Sequence, residues 1–93
     1  MSEIQKIKMR IVPVLKKNKV KKAGIFGSYA TGKQNKKSDI DIIIELPRGM
    51  GFGFVGLERQ LAEALGKKVD LVTYKGLSPY LKKRILGEEV RIL

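Results

Sequence analysis

The chain has 93 residues, with 20 Lys and Arg against 9 Asp and Glu, a formal net charge of +11, and neither His nor Cys. A chain of this length makes one domain, expected to span residues 1–93, around one core. The missing residue types exclude a disulfide framework, a zinc cluster, a thiol nucleophile, an imidazole base and a Ser-His-Asp triad, so any catalysis must use carboxylates, hydroxyls, amines or a metal held by oxygen.

The charge is lopsided. Residues 1–37 hold 11 basic residues and a single acid, Glu3, whereas residues 38–93 hold 9 basic and 8 acidic residues. A basic block of this kind suits nucleic acid, a nucleotide or an acidic partner, or is a solvated face without one. No segment approaches the ~20 apolar residues of a membrane span. The opening Met1-Ser2-Glu3-Ile4-Gln5 lacks the apolar core of a signal peptide. A soluble, cytoplasmic protein with no membrane partner is expected.

Ser2 and Gln5 have the spacing of a capping box, and Ile4, Ile7, Ile11, Val14 and Leu15 share one face of a 3.6-residue period. A helix is therefore expected from Ser2 to about Asn18, kinked or divided at Pro13, which has no N–H to donate. Residues 21–26 (KKAGIF) read as a short strand running into Gly27-Ser28, and Tyr29 to Gly32 as a helical turn. The polar stretch 33–38 reads as a loop. Residues 39–46 (DIDIIIEL) carry the strongest strand signal of the chain, and 47–53, with one Pro and three Gly, read as loop. Phe54, Leu57, Leu61, Ala64 and Leu65 recur at helical spacing, with Gly66 as the stop. Residues 67–73 (KKVDLVT) form a further strand. Ser78-Pro79 is an N-cap with Pro at the first helical position, and that helix is expected to reach about Leu86 and end at Gly87. Val90 to Leu93 can add a last short strand. The sum is an α/β fold, a small mixed sheet with flanking helices.

The only aspartates are Asp39, Asp41 and Asp70. Two positions apart on a strand, Asp39 and Asp41 put their carboxylates on one face, roughly 6–7 Å apart, while Ile40 and Ile42 turn inward. Adjacent carboxylates repel unless a cation lies between them, and an all-oxygen site favours Mg²⁺ or Mn²⁺. If the strand carrying Asp70 pairs alongside, a three-carboxylate cluster results, able to hold the two metal ions used for in-line phosphoryl or nucleotidyl transfer. Upstream, Gly27 permits close approach of a ligand to the backbone, and Ser28 offers a hydroxyl and an N–H. Each motif alone is short enough to occur by chance.

Together they are more specific. The segments Phe26-Gly27-Ser28-Tyr29-Ala30-Thr31-Gly32 and Ser38-Asp39-Ile40-Asp41-Ile42-Ile43-Ile44-Glu45, then Leu57 to Leu65, Gly66 to Thr73 and Leu77 to Leu93, resemble the polymerase-β-like nucleotidyltransferase superfamily. More closely, they resemble the minimal nucleotidyltransferases (MNT) that pair with HEPN proteins in prokaryotic toxin–antitoxin systems. The Gly-rich run Gly51 to Gly56 and Lys33 depart from that pattern. The resemblance implies a polymerase-β-like nucleotidyltransferase fold and a Gly27-Ser28 turn that contacts nucleotide phosphates. It makes Asp39 and Asp41 metal ligands and Asp70 a third carboxylate that binds metal and helps activate the acceptor. It further implies Mg²⁺, with two ions, ATP as substrate, and AMP transfer to a tyrosine of a HEPN toxin partner, which makes the chain an antitoxin. Lys33, Lys36 and Lys37 stand between the two motifs, where they can screen a triphosphate. Three other readings stay open: nucleotidyl transfer to RNA or a small molecule, a non-catalytic antitoxin that docks on its toxin, and a plain basic nucleic-acid-binding protein.

Overall fold

The computed structural model describes residues 2–93; Met1, the first residue of the expected domain, lies outside the described residues. Ser2 caps the first helix, α1 (Glu3–Lys17), with its Oγ accepting the Gln5 N–H at 3.1 Å. Ile7, Ile11 and Leu15 form the buried stripe of that helix. Pro13 does not divide it. The carbonyl that loses its donor belongs to Met9, which stands well out in solvent, so water can replace the missing bond.

The remaining elements follow as β1 (Ala23–Phe26), α2 (Ser28–Thr31), β2 (Ile40–Ile44), α3 (Gly53–Leu65), β3 (Val69–Thr73), α4 (Pro79–Glu88) and β4 (Val90–Arg91). The sheet order is β3-β2-β1-β4. β2 runs parallel to β3, while β1 is antiparallel to both β2 and β4. This is the expected mixed sheet. Each strand is shorter than its apolar run suggests, because the flanking Lys21, Lys22, Asp39, Leu46, Lys67 and Lys68 lie outside the ladder.

α1 and α3 pack on one face of the sheet, where Ile25, Ile40, Ile42 and Ile44 meet Ile7, Ile11, Leu15, Leu57 and Leu61. The opposite face carries a smaller cluster of Phe26, Ile43, Tyr74 and Ile85, covered by α4. β2 is therefore enclosed on both sides, which explains why its alternation fades into the continuous run Ile42-Ile43-Ile44. Gly66, at φ +65°, stops α3 in the left-handed conformation expected of it. Gly87 does not stop α4: the helix continues to Glu88 and turns out at Glu89. In the Gly-rich segment, Met50 and Phe54 pack on the main core while Phe52 is 99% exposed. Among the described residues no helix is long and apolar enough to cross a membrane.

Candidate active site

The three aspartates lie at one end of the β2–β3 pair. Parallel pairing sets Asp41 directly beside Asp70, as partners in the register Ile40–Val69, Asp41–Asp70, Ile42–Leu71. A hydrogen bond from the Ile40 N–H to the Lys68 carbonyl (3.0 Å) ties the two strand starts together. Asp39 lies one residue before β2 and is exposed, as is Asp70; Asp41 is half-buried. The loop that delivers Asp39 closes on itself. The Asn35 N–H donates to Ser38 Oγ (2.9 Å), the Lys37 N–H donates to Asn35 Oδ1 (2.8 Å), and the Ser38 N–H donates to the Asn35 carbonyl (3.1 Å).

The turn Gly27-Ser28 sits against the same end, because β1 is antiparallel to β2 and pairs Phe26 with Asp41. Gly27 has φ +72° and ψ −148°, a conformation open only to glycine, and a Cβ there would overlap the Asp41 carboxylate. The Gly27 carbonyl accepts the Ala30 and Thr31 N–H groups, both at 3.1 Å, and the Thr31 hydroxyl at 3.1 Å, which winds α2 from Ser28 onward. Gly32, at φ +73°, closes it. Glycine at 27 thus answers two demands at once, the backbone conformation and the space for Asp41.

One participant was not legible in the sequence. Glu88, the last residue of α4, accepts the Gly27 N–H on its Oε1 at 2.9 Å. Its charge adds to those that Asp41 already feels. Burial, then Asp70, Asp39 and Glu88 in that order, raise the Asp41 carboxyl to about 6. The expectation that α4 ends at Gly87 hid this contact; the one-residue extension carries Glu88 across to Gly27. Its neighbour Glu89 faces the sheet, where its carboxylate fills the space beside Gly24 and accepts the Tyr74 hydroxyl at 2.6 Å. Burial and that hydrogen bond hold the Tyr74 phenol well above the usual tyrosine range.

The donor set fits a hard divalent cation: it is all oxygen, and burial together with the charges of Asp70, Asp39 and Glu88 makes the Asp41 carboxylate costly without a cation beside it. Among the described residues no three acidic side chains converge closely enough to grip an ion as they stand. The strand register supplies the Asp41–Asp70 pair, and Asp39 lies one residue before the start of β2. Lys33, Lys36 and Lys37 are exposed on the loop between the two motifs.

Known proteins resemble this chain in sequence and in fold. Residues 8–92 match the sequence profile of the nucleotidyltransferase domain. A Methanocaldococcus jannaschii protein, named as a candidate protein adenylyltransferase, is 48% identical over 91 residues, covering 97% of this chain and 98% of its own length. The fold superposes on a chain of a toxin–antitoxin crystal structure containing AMP-PNP, with TM-score 0.78 and 29% identity over 92% of this chain and 72% of the other. It also superposes, with TM-score 0.71 and 26% identity over 96% of this chain and 71% of the other, on a chain of a Shewanella oneidensis complex between a tri-AMPylated HEPN toxin and its MNT antitoxin.

Proposed function

The chain belongs to the nucleotidyltransferase domain family and is a nucleotidyltransferase of the minimal kind, and from that premise we propose that it transfers AMP from ATP to a tyrosine hydroxyl of a HEPN toxin partner and so acts as the antitoxin. The observation that carries this reading is the register pairing of Asp41 with Asp70 beside the Gly27-Ser28 turn. Those residues bring carboxylates and a glycine turn to one strand end, which supports a reading as nucleotidyl transfer. The AMP-PNP bound in one related assembly and the AMP carried by the HEPN toxin in another support ATP as donor and a HEPN protein as acceptor.

In this scheme the triphosphate lies along the Gly27-Ser28 turn, with Lys33, Lys36 and Lys37 lowering the repulsion around it. Glu88 then yields the Gly27 N–H to a phosphate oxygen, one anion replacing another. The proton of the acceptor hydroxyl goes to Asp70, the exposed carboxylate beside Asp41, the chain having no His to take it. The acceptor oxygen forms a bond to the α-phosphorus as the bond to the β-phosphate oxygen breaks, and pyrophosphate departs. Mg²⁺ held by Asp39, Asp41 and Asp70 would supply neutralisation of the phosphate charge and polarisation of the reacting oxygens.

The test is co-expression with the product of the neighbouring gene and intact-mass analysis of that product. AMP-sized additions are expected with the wild-type chain and none with Asp41→Ala. Undiminished addition in the variant sinks the assignment, and additions found on RNA or a small molecule instead of protein move the acceptor elsewhere.

A further inference from the structure

At the end of β2 away from the aspartates, three connections converge. Lys19 and Lys21 lead into β1, Glu45 to Gly49 leave β2, and Thr73 to Lys75 leave β3. Between them lies an open groove of about 860 Å³. Its walls carry the cations Lys19, Lys21, Arg48 and Lys75 against one carboxylate, Glu45. β2 is five residues long, so the groove stands roughly 15 Å from the carboxylate site.

We propose that this groove is a second, separate binding site, which takes the phosphate backbone of a single-stranded nucleic acid without reading its bases. This inference does not rest on the transferase reading. Three observations carry it. The first is the gathering of four cations from three separate connections, including Arg48 and Lys75 from the otherwise balanced part of the sequence. A cleft lined by one sign of charge draws in the opposite one. The second is Lys19 itself, which among the described residues is the only non-glycine with positive φ (+65°). It occupies the helix-terminating position that favours glycine, as Gly32 and Gly66 illustrate after α2 and α3. A lysine there keeps a charge on the groove at the expense of backbone comfort. The third is the chemistry of the walls. Three of the four cations are lysines, which serve phosphates as point charges, and Arg48 adds a fork able to pair two phosphate oxygens. The aromatic residue of the groove, Tyr74, is 8% exposed, its hydroxyl is held by Glu89, and Lys22 Nζ covers its ring at 4.4 Å. It offers no face on which a base can stack, so contact falls on the backbone.

Binding of a fluorescent 12-nucleotide single-stranded RNA of mixed sequence, followed by anisotropy between 50 and 200 mM salt, tests the proposal. Four phosphate contacts predict a slope of log K against log salt of about −3, and each cation removed should reduce it by about 0.7. Lys19→Gly is expected to raise the melting temperature by a few degrees while weakening RNA binding, two effects that a merely structural lysine would not combine. Lys75→Ala should weaken binding with little change in melting. Asp41→Asn, at the far end of β2, should leave binding as it is. The proposal is overturned if RNA does not bind at 50 mM salt, or if Lys19→Gly and Lys75→Ala bind as the wild type does. It is equally overturned if a 12-residue poly-Glu peptide displaces the RNA as well as unlabelled RNA does, which makes the groove a site for an acidic protein segment.

Discussion

A methyl group at position 27 would land on the Asp41 carboxylate, and the backbone there already lies at φ +72°. Gly27→Ala therefore meets two penalties, roughly 1–3 kcal/mol together. Only the backbone part, about 1 kcal/mol, should remain when the change is made in an Asp41→Ala background. A double-mutant cycle from urea melts measures the difference, and additive effects would refute the overlap. Asp41 itself supplies a pH dependence. Its carboxyl is raised from 3.8 to about 6, so between those values the folded state keeps a proton that the unfolded state gives up. Stability then falls as pH rises through that window. Asp41→Asn keeps the shape and cannot ionise. In chelator it is expected to melt higher than the wild type at pH 7 and to flatten the decline from pH 4 to 6, as thermal scans across that range would read. A lower melting point at pH 7 would contradict the origin of the shift. Gly27, Ser28, Asp39, Asp41 and Asp70 were legible as candidates because short motifs, each weak alone, occur in a specific combination along the sequence. Glu88 was not, since its partner Gly27 is 61 positions distant and no local pattern records such a contact.

The elements divide between signals that are local and signals that tertiary packing overrides. Ser2 and Ser78 cap α1 and α4 as their spacing implies, and the period of Leu57, Leu61 and Leu65 is the buried face of α3. Pro13 and Gly87 are breakers by propensity, yet both sit inside continuous helices. The buried stripe of α1 and the packing of Ile85 against Phe26, Ile43 and Tyr74 outweigh the local cost. The same reasoning applies to Gly56 in α3. Gly56 and Gly87 have helical backbones with open space where a Cβ would stand. Gly56→Ala and Gly87→Ala should each stabilise the fold by about 0.5–1 kcal/mol, measurable as a higher denaturant midpoint with an unchanged slope. Destabilisation by Gly87→Ala would show that the last turn of α4 needs glycine for another reason.

For the molecule as a whole, the charge excess of residues 1–37 is a property of the sequence that the fold redistributes. Lys33, Lys36 and Lys37 stay near the aspartates, while Lys19 and Lys21 go to the opposite end of β2 and are joined there by Arg48 and Lys75. Linear counting sees one basic block; the antiparallel turn from β1 to β2 makes two. The closing segment also binds the two halves of the chain together. Glu88 holds the Gly27 turn, Glu89 fills the space beside Gly24, and Ala23 exchanges hydrogen bonds with Ile92 and Leu93. These contacts span more than 60 positions, and they set an order of events during synthesis. As a ribosome extends the chain, β1, β2 and β3 can pair once residue 73 has emerged, but the turn beside the carboxylates stays unbraced until the final helix follows. The carboxylate end of the sheet is thus the last to receive its bracing contacts.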